Sequence, residues 1–236
     1  AYVFNLRREK FQDSLVREAL GMMFNFEWSN EQLFYGLYDR VNSFWGNSEL
    51  EAVGVPEGAE LAVLQDLVDQ GLIGADIITA PAAMAPVSGS RQLDRKNLRK
   101  ASALMEQAGW LVNADGMREK DGEVFTLEVL ASSPAFDRIT NPMIENMKSL
   151  GIDARLNRVD GAQATERSRA YDFDVMNHSM RMSFEPSSGL EQYFGSKAME
   201  GSSRNLMGFS DPAADALIEL VVRSETKAHL TTRIRA

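Results

Sequence analysis

The stretch from Glu123 to His178 restricts the fold more than any other part of the chain. "EVFTLEVLA" (123–131) sets Phe125, Leu127, Val129 and Ala131 on one side, the two-residue repeat of a strand. Ser133-Pro134 then opens a helix running to Leu150. Phe136, Ile139, Met143, Met147 and Leu150 face inward, Pro142 bends the helix by removing a backbone donor, and Gly151 ends it. "IDARLN" (152–157) turns Ile152, Ala154 and Leu156 inward as a second strand. Asp160 and Gln163 cap another helix, and "FDVMNH" (173–178) makes a third strand. A β-α-β-α-β order implies right-handed crossovers and a largely parallel sheet. In such sheets ligands sit beyond the carboxyl ends of the strands, which is where the loop after residue 178 begins.

The flanking segments supply the rest of the fold. A strand is expected at residues 2–6 and a helix over 14–25, with Asp13 as its N-cap. Ser29 and Gln32 have the spacing of a capping box for a helix over 30–37. After a loop-rich segment, helices follow near 58–69 and 95–108, and Gly109 stands where a left-handed residue closes a helix. Between these two helices, residues 71–93 read as an extended surface connection. Beyond the third strand come a helix near 187–195, a loop, and a helix opened by Asp211-Pro212 with Ala214, Leu217, Ile218 and Val221 as its buried stripe.

Composition removes several function classes. A net charge of −9, with no long Lys/Arg block, argues against nucleic acid as a partner. The run Arg91, Arg95, Lys96, Arg99 and Lys100 reads as a solvated helix face. The chain has no cysteine, so disulfides, thiolate metal sites and cysteine nucleophiles are absent. No apolar run approaches the roughly 20 residues that span a bilayer. Walker, G-x-S-x-G, G-x-G-x-x-G and H-E-x-x-H patterns are all missing.

One stretch, "YDFDVMNHSMRMSFEP" (171–186), has the residue types of a small catalytic or metal site in Asp172, Asp174 and His178. On a strand, Asp174 and His178 share a face but lie about 13 Å apart, too far for one ion. The two acids more simply mark the start of the strand and the histidine its end. The dense aromatics from Phe24 to Trp45 read as core, with Phe44 and Trp45 in a Gly/Asn/Ser loop able to line a pocket.

Taken together and in order, these residues resemble a known family. "FNLRREKFQDSLVREALGMMFNFEW" is similar to a segment of family 5 extracellular solute-binding proteins, the receptors of peptide and nickel ABC importers. "NEQLFYGLYDRVNSFWGNSELEAVGVPEGAEL", "NLRKASALMEQAGW", "LGIDARLNRVD", "YDFDV" and "DPAADALIELV" resemble its Yej-type oligopeptide branch, which includes microcin C receptors. The resemblance implies an α/β fold, the C-terminal lobe of a type II (cluster C) periplasmic binding protein, with a mixed sheet flanked by helices. It implies that residues 1–236 are an incomplete second lobe, lacking the N-terminal lobe and a final C-terminal segment. It also implies a non-catalytic, cofactor-free receptor in the periplasm that binds oligopeptides between lobes. Its further partners would be the permease and ATPase subunits of an importer.

By the same resemblance, the ligand-facing residues fall in three segments. They are Asn42, Ser43, Phe44 and Trp45; His178, Ser179, Met180, Met182 and Glu185; and Arg204 with Asn205. Some relatives carry an aspartate three residues before a Glu-Pro pair, where it receives a peptide's ammonium. Here the pair is Glu185-Pro186 and the aspartate's position is Met182. Either Glu185 substitutes for it or the acid lies in the other lobe. Met180 and Met182 are either an adaptable wall or core filling. Two other readings remain open: the same fold carrying nickel, haem or a sugar, and a hydrolase using Asp172, Asp174 and His178.

Overall fold

A computed structural model describes all residues 1–236. The longest strands obey the expected alternation, and the order of elements follows the sequence reading closely. From the N-terminus come β1 (Tyr2–Phe4), α1 (Ser14–Gly21) and α2 (Phe26–Phe34), then α3 (Gly58–Asp69) and α4 (Arg95–Gln107). A group of short strands follows: β2 (Leu111–Val112), β3 (Arg118–Lys120) and β4 (Glu123–Val124). The alternating region supplies β5 (Thr126–Ala131), α5 (Asp137–Ser149), β6 (Asp153–Arg158), α6 (Gly161–Arg169) and β7 (Val175–Asn177). The chain ends with α7 (Glu191–Phe194), α8 (Pro212–Val222) and α9 (Lys227–Arg235). No helix is long and apolar enough to cross a membrane.

These elements form two compact units, residues 1–40 with 86–179 and residues 41–85 with 180–236. The first holds a four-stranded sheet in the order β1-β7-β5-β6. β5 is parallel to β6 and to β7, with Val129 opposite both Leu156 and Val175, and β1 closes the β7 edge antiparallel. The sheet is therefore mixed, with the β-α-β-α-β run as its parallel part. Val16, Ala19 and Leu20 of α1, Ala101 and Met105 of α4, and Met143 and Met147 of α5 pack with Leu127 and Val129 into one core. In the second unit the smaller core is Leu190, Ile218 and Val221, joined by Trp45, Met182, Phe194 and Ile234.

Several boundaries differ from the sequence reading, each for a local reason. "EVFTLEVLA" is not one strand. Phe125 N donates to Arg118 O at 2.7 Å while Phe125 O accepts from Asp153 N at 3.0 Å, so this buried residue hands the chain from one sheet to another. β4 consequently belongs to a three-stranded antiparallel sheet, β2-β3-β4, that the sequence reading missed. Its β3–β4 turn is Asp121-Gly122, with φ of 53° and 83°, the left-handed pair of a tight hairpin. α2 starts four residues before the expected helix at 30, because the Asn25 side chain accepts from Trp28 N at 2.9 Å and caps it. Ser29 is instead buried inside that helix. Phe136 lies in a short 3-10 turn before α5 and is exposed, not inward. In α8 the buried residues are Ala213, Ile218 and Val221, so the stripe begins one residue earlier than expected.

Candidate functional site

In the second unit, residues distant in sequence meet around one pocket. The loop after residue 41 is folded on its own serines. Ser43 Oγ accepts from Trp45 N at 3.1 Å, and Ser48 Oγ donates to Trp45 O at 2.7 Å. That aims the indole at the segment following β7, where Trp45 Nε1 donates to Ser183 O at 2.9 Å. Phe44 packs its ring 5.2 Å from Phe194 yet stays 52% exposed, leaving an aromatic face open to solvent. Asn42 Oδ1 accepts from Ala85 N at 2.9 Å and ties the two ends of the 41–85 segment together.

A pocket of about 240 Å³ lies beside this junction, lined among others by Arg181, Met182, Glu185, Gln192, Tyr193 and Arg204. Tyr193 is buried and links its two sides: its hydroxyl donates to Arg181 O at 3.2 Å and accepts from Arg204 Nη1. The Arg204 guanidinium lies 5.1 Å from the Tyr193 ring centroid. Glu185 N donates to Ser183 Oγ at 3.0 Å, which fixes the backbone and leaves the carboxylate exposed. The pocket thus offers guanidinium, carboxylate, amide and thioether groups to a polar ligand.

Of the sequence-predicted residues, Asn42, Ser43, Phe44, Trp45, Met180, Met182, Glu185, Arg204 and Asn205 fall in this unit. Met182 is half-buried against the Leu190 core and also lines the pocket, so its two readings are compatible. Asn205 is fully buried, with its amide donating to Phe209 O and accepting from Phe209 N, both at 2.8 Å. It braces the loop from inside and offers no surface of its own. Gln192 and Tyr193 line the pocket from α7, a four-residue helix too short to show a period, and Arg181 lines it from within the 179–185 segment.

His178 and Ser179 close the first unit. His178 N donates to Ala1 O at 2.9 Å, and its imidazole Nε2 is buried with no hydrogen-bond partner. Burial holds this imidazole below its usual pKa. Asp172 and Asp174 do not join it. Asp172 is bound by Arg8 at 3.0 Å and Arg167 at 2.9 Å, and Asp174 by Lys10 at 2.8 Å. The two acids thus tie β7 to the N-terminal segment and α6, and no acid–histidine pair for hydrolysis is formed. No group of three or more metal-ligating His, Asp or Glu side chains converges anywhere in the chain. The first unit also has a small cavity, about 110 Å³, at the carboxyl ends of β5 and β7. Tyr2, Ser132, Phe136, Thr140 and Asn177 line it, with Tyr2 Oη and Thr140 Oγ1 hydrogen-bonded at 2.5 Å. It occupies the strand ends at which parallel sheets place ligands.

The first unit thus has a small cavity at its strand ends, and the second unit has a polar pocket of its own. The model of the bacterial extracellular solute-binding proteins, family 5 Middle, matches residues 1–201, and the chain belongs to this family. It is 37% identical over 238 residues to the "Probable peptide-binding protein YejA" of Agrobacterium fabrum, covering all of this chain and 38% of that protein. The fold matches NikZ from Campylobacter jejuni, solved with Ni(L-His), at a TM-score of 0.72 and 15% identity, over 100% of this chain and 41% of that one. It also matches AppA from Bacillus subtilis, solved with a nonapeptide, at 0.70 and 19% identity, over 99% of this chain and 40% of that one. The chain therefore spans well under half the length of the relatives it matches.

Proposed function

We propose that the chain is most of the second lobe of the substrate-binding component of an ABC importer. In the whole protein it captures oligopeptides in a cleft between lobes, in the periplasm, and delivers them to a permease coupled to an ATPase. The carrying observation is the polar pocket that residues 181–185, Tyr193 and Arg204 line, with Trp45 hydrogen-bonded to Ser183 at its side. Family membership and the similarity to a peptide-binding protein support the same reading. Bound backbone is held by main-chain and Asn, Ser and Arg groups, with Phe44, Met180 and Met182 as adaptable walls and Glu185 receiving the peptide's ammonium. His178 and Ser179 are ligand residues of the first unit, and Asn205 acts by bracing its loop.

Native mass spectrometry on the full-length parent protein tests this directly. Peptide receptors purified gently carry a ladder of added masses that fragment as peptides, and its spread gives the accepted lengths. A microcin-like modified peptide would appear as one recurring non-ladder mass. A clean protein mass that stays unchanged with peptide mixtures would instead turn the reading towards nickel, haem or sugar cargo. The Ni(L-His) complex of a protein with the same fold keeps that second reading in view.

A further inference from the structure

The segment that leaves α2 uses its polar groups to fix the backbone and leaves its apolar side chains in water. Tyr35 ends the helix at φ 55°, a left-handed conformation that strains a bulky residue. Leu37 N donates to Phe34 O at 3.0 Å, and the Asn30 amide then clamps Tyr38 from both sides. Asn30 Nδ2 donates to Tyr38 O at 2.6 Å, and Asn30 Oδ1 accepts from Tyr38 N at 3.0 Å. The chain thereby doubles back along α2. The Tyr38 ring meets Phe34 edge-on at 5.0 Å, and the Arg40 guanidinium lies 5.2 Å from the Phe26 ring centroid. Tyr35 is nonetheless 88% exposed, Leu37 78% and Tyr38 56%.

A loop held this firmly does not expose three large apolar residues by fraying. Single exposed apolar residues are ordinary, but a run of them on a fixed backbone marks a surface that something covers. A second, independent sign stands at the base of the loop. Arg40 Nη1 is buried and has no hydrogen-bond partner, while the neighbouring Glu27 carboxylate is engaged by Ser88 N at 2.9 Å. A buried guanidinium donor without an acceptor is costly, and the chain offers it none. The cover therefore needs two properties: apolar side chains over Tyr35, Leu37 and Tyr38, and a carbonyl or carboxylate oxygen for Arg40.

We infer that Tyr35, Leu37, Tyr38 and Arg40 form a face on which the first lobe of the same polypeptide docks. The chain covers 38% of its Agrobacterium fabrum relative, so well over half of such a protein lies outside it. A lobe tethered to the chain meets the face at high effective concentration, whereas a second copy must find it by collision. The inference rests on the two-lobe reading above and not on the identity of the cargo.

Hydroxyl-radical footprinting of the full-length protein, read by mass spectrometry, tests it on the wild type. Tyr35 and Tyr38 should react as slowly as the buried Tyr193, at every protein concentration. Rates equal to those in the urea-unfolded protein overturn the inference. Protection that vanishes on dilution also overturns it, in favour of a second copy. Leu37→Ser gives an independent readout in thermal melts. A side chain left in water tolerates serine with almost no shift, whereas one sealed in an interface loses several degrees. Arg40→Met isolates the guanidinium by the sign of its effect. The melting temperature falls if the other lobe supplies an acceptor. Without one, removing an unsatisfied buried donor leaves it unchanged or raises it, and the part assigned to Arg40 is overturned. Peptide capture by the same preparation keeps this apart from the receptor reading. A protected loop in protein that captures no peptide supports docking and removes the cargo; capture by protein whose loop reacts freely does the reverse.

Discussion

Trp45 Nε1 donates to the carbonyl of Ser183 at 2.9 Å, across 138 residues of intervening chain. Both residues sit in loops, and this bond fixes the loop after residue 41 against the segment that lines the pocket. Met182, next to Ser183, packs with Trp45 on the Leu190 core. The two contacts, one polar and one apolar, hold a surface that neither loop would keep alone.

Trp45→Phe keeps most of the ring and deletes the donor. A partly exposed hydrogen bond of this kind contributes about 0.5–1 kcal/mol to folding. Ligand affinity should fall more than stability does, because the 181–185 segment loses its tether. Denaturant melts and peptide titrations on the same full-length variant compare the two. Unchanged affinity would detach the Trp45 loop from the site.

Arg118 has a side chain only 2% exposed, and it spends its fork entirely inside the protein. Nε donates to Leu150 O at 3.0 Å, Nη1 to Trp110 O at 3.1 Å, and Nη2 to Ser102 Oγ. These bonds pin the small sheet to the ends of α4 and α5. Arg118→Met fills similar space but leaves the buried Leu150 carbonyl and the part-buried Trp110 carbonyl unpaired, at a cost of about 2–4 kcal/mol. The melting temperature should drop by several degrees while peptide binding of the folded protein is retained.

Gly151 shows what the sequence could foretell. Its place after α5 marks a helix stop, and its φ of +91° matches. The close approach behind it is not written locally, since an added Cβ would lie 2.8 Å from Gly116 O in the turn between β2 and β3. Gly151→Ala therefore combines a strained φ with a backbone clash and should cost about 2–3 kcal/mol. Gly161→Ala, with nothing within 4 Å of the added carbon, should be neutral or slightly stabilising. Equal effects at the two positions in thermal melts would remove the clash from the account.

The same division runs through the whole molecule. Helix starts at Asp13, Asp160 and Asp211 were legible because the signal and its consequence lie within three residues, and each carboxylate does accept its backbone N–H. The parallel core was legible because six-residue strands repeat a clear alternation. β2, β3 and β4 were not, since two- and three-residue strands have no period and Leu111 and Val112 are exposed. Of the pocket, the sequence marked Met182, Glu185 and Arg204 through resemblance alone. Tyr193 was invisible because its role is two hydrogen bonds to residues 11 and 12 positions away in irregular chain.

Glu128 links β5 to β6 and α6, and its ionisation sets a pH limit on the first unit. Burial pushes its carboxyl upward, but Asn157, Arg167 and Arg155 together outweigh this and hold it below the ordinary 4.5. Arg167 Nη2 lies 2.8 Å from Oε1 and Arg155 Nη2 lies 3.5 Å from Oε2, with the Glu128 side chain 15% exposed. A carboxyl whose folded value lies below its unfolded one contributes stability that is complete above the unfolded value. That contribution is lost as pH falls through the folded value. The wild type should therefore weaken from about pH 5 downward, with part of the slope owed to Glu128. Glu128→Gln should lose about 1–2 kcal/mol at neutral pH, where the wild-type charge is fully engaged. As pH falls through the folded value the two proteins should converge, because both then carry a neutral side chain between the arginines. Urea melts of both proteins across this range give the comparison. Parallel curves that never approach one another would mean that packing, not the charge of Glu128, holds the strand to α6.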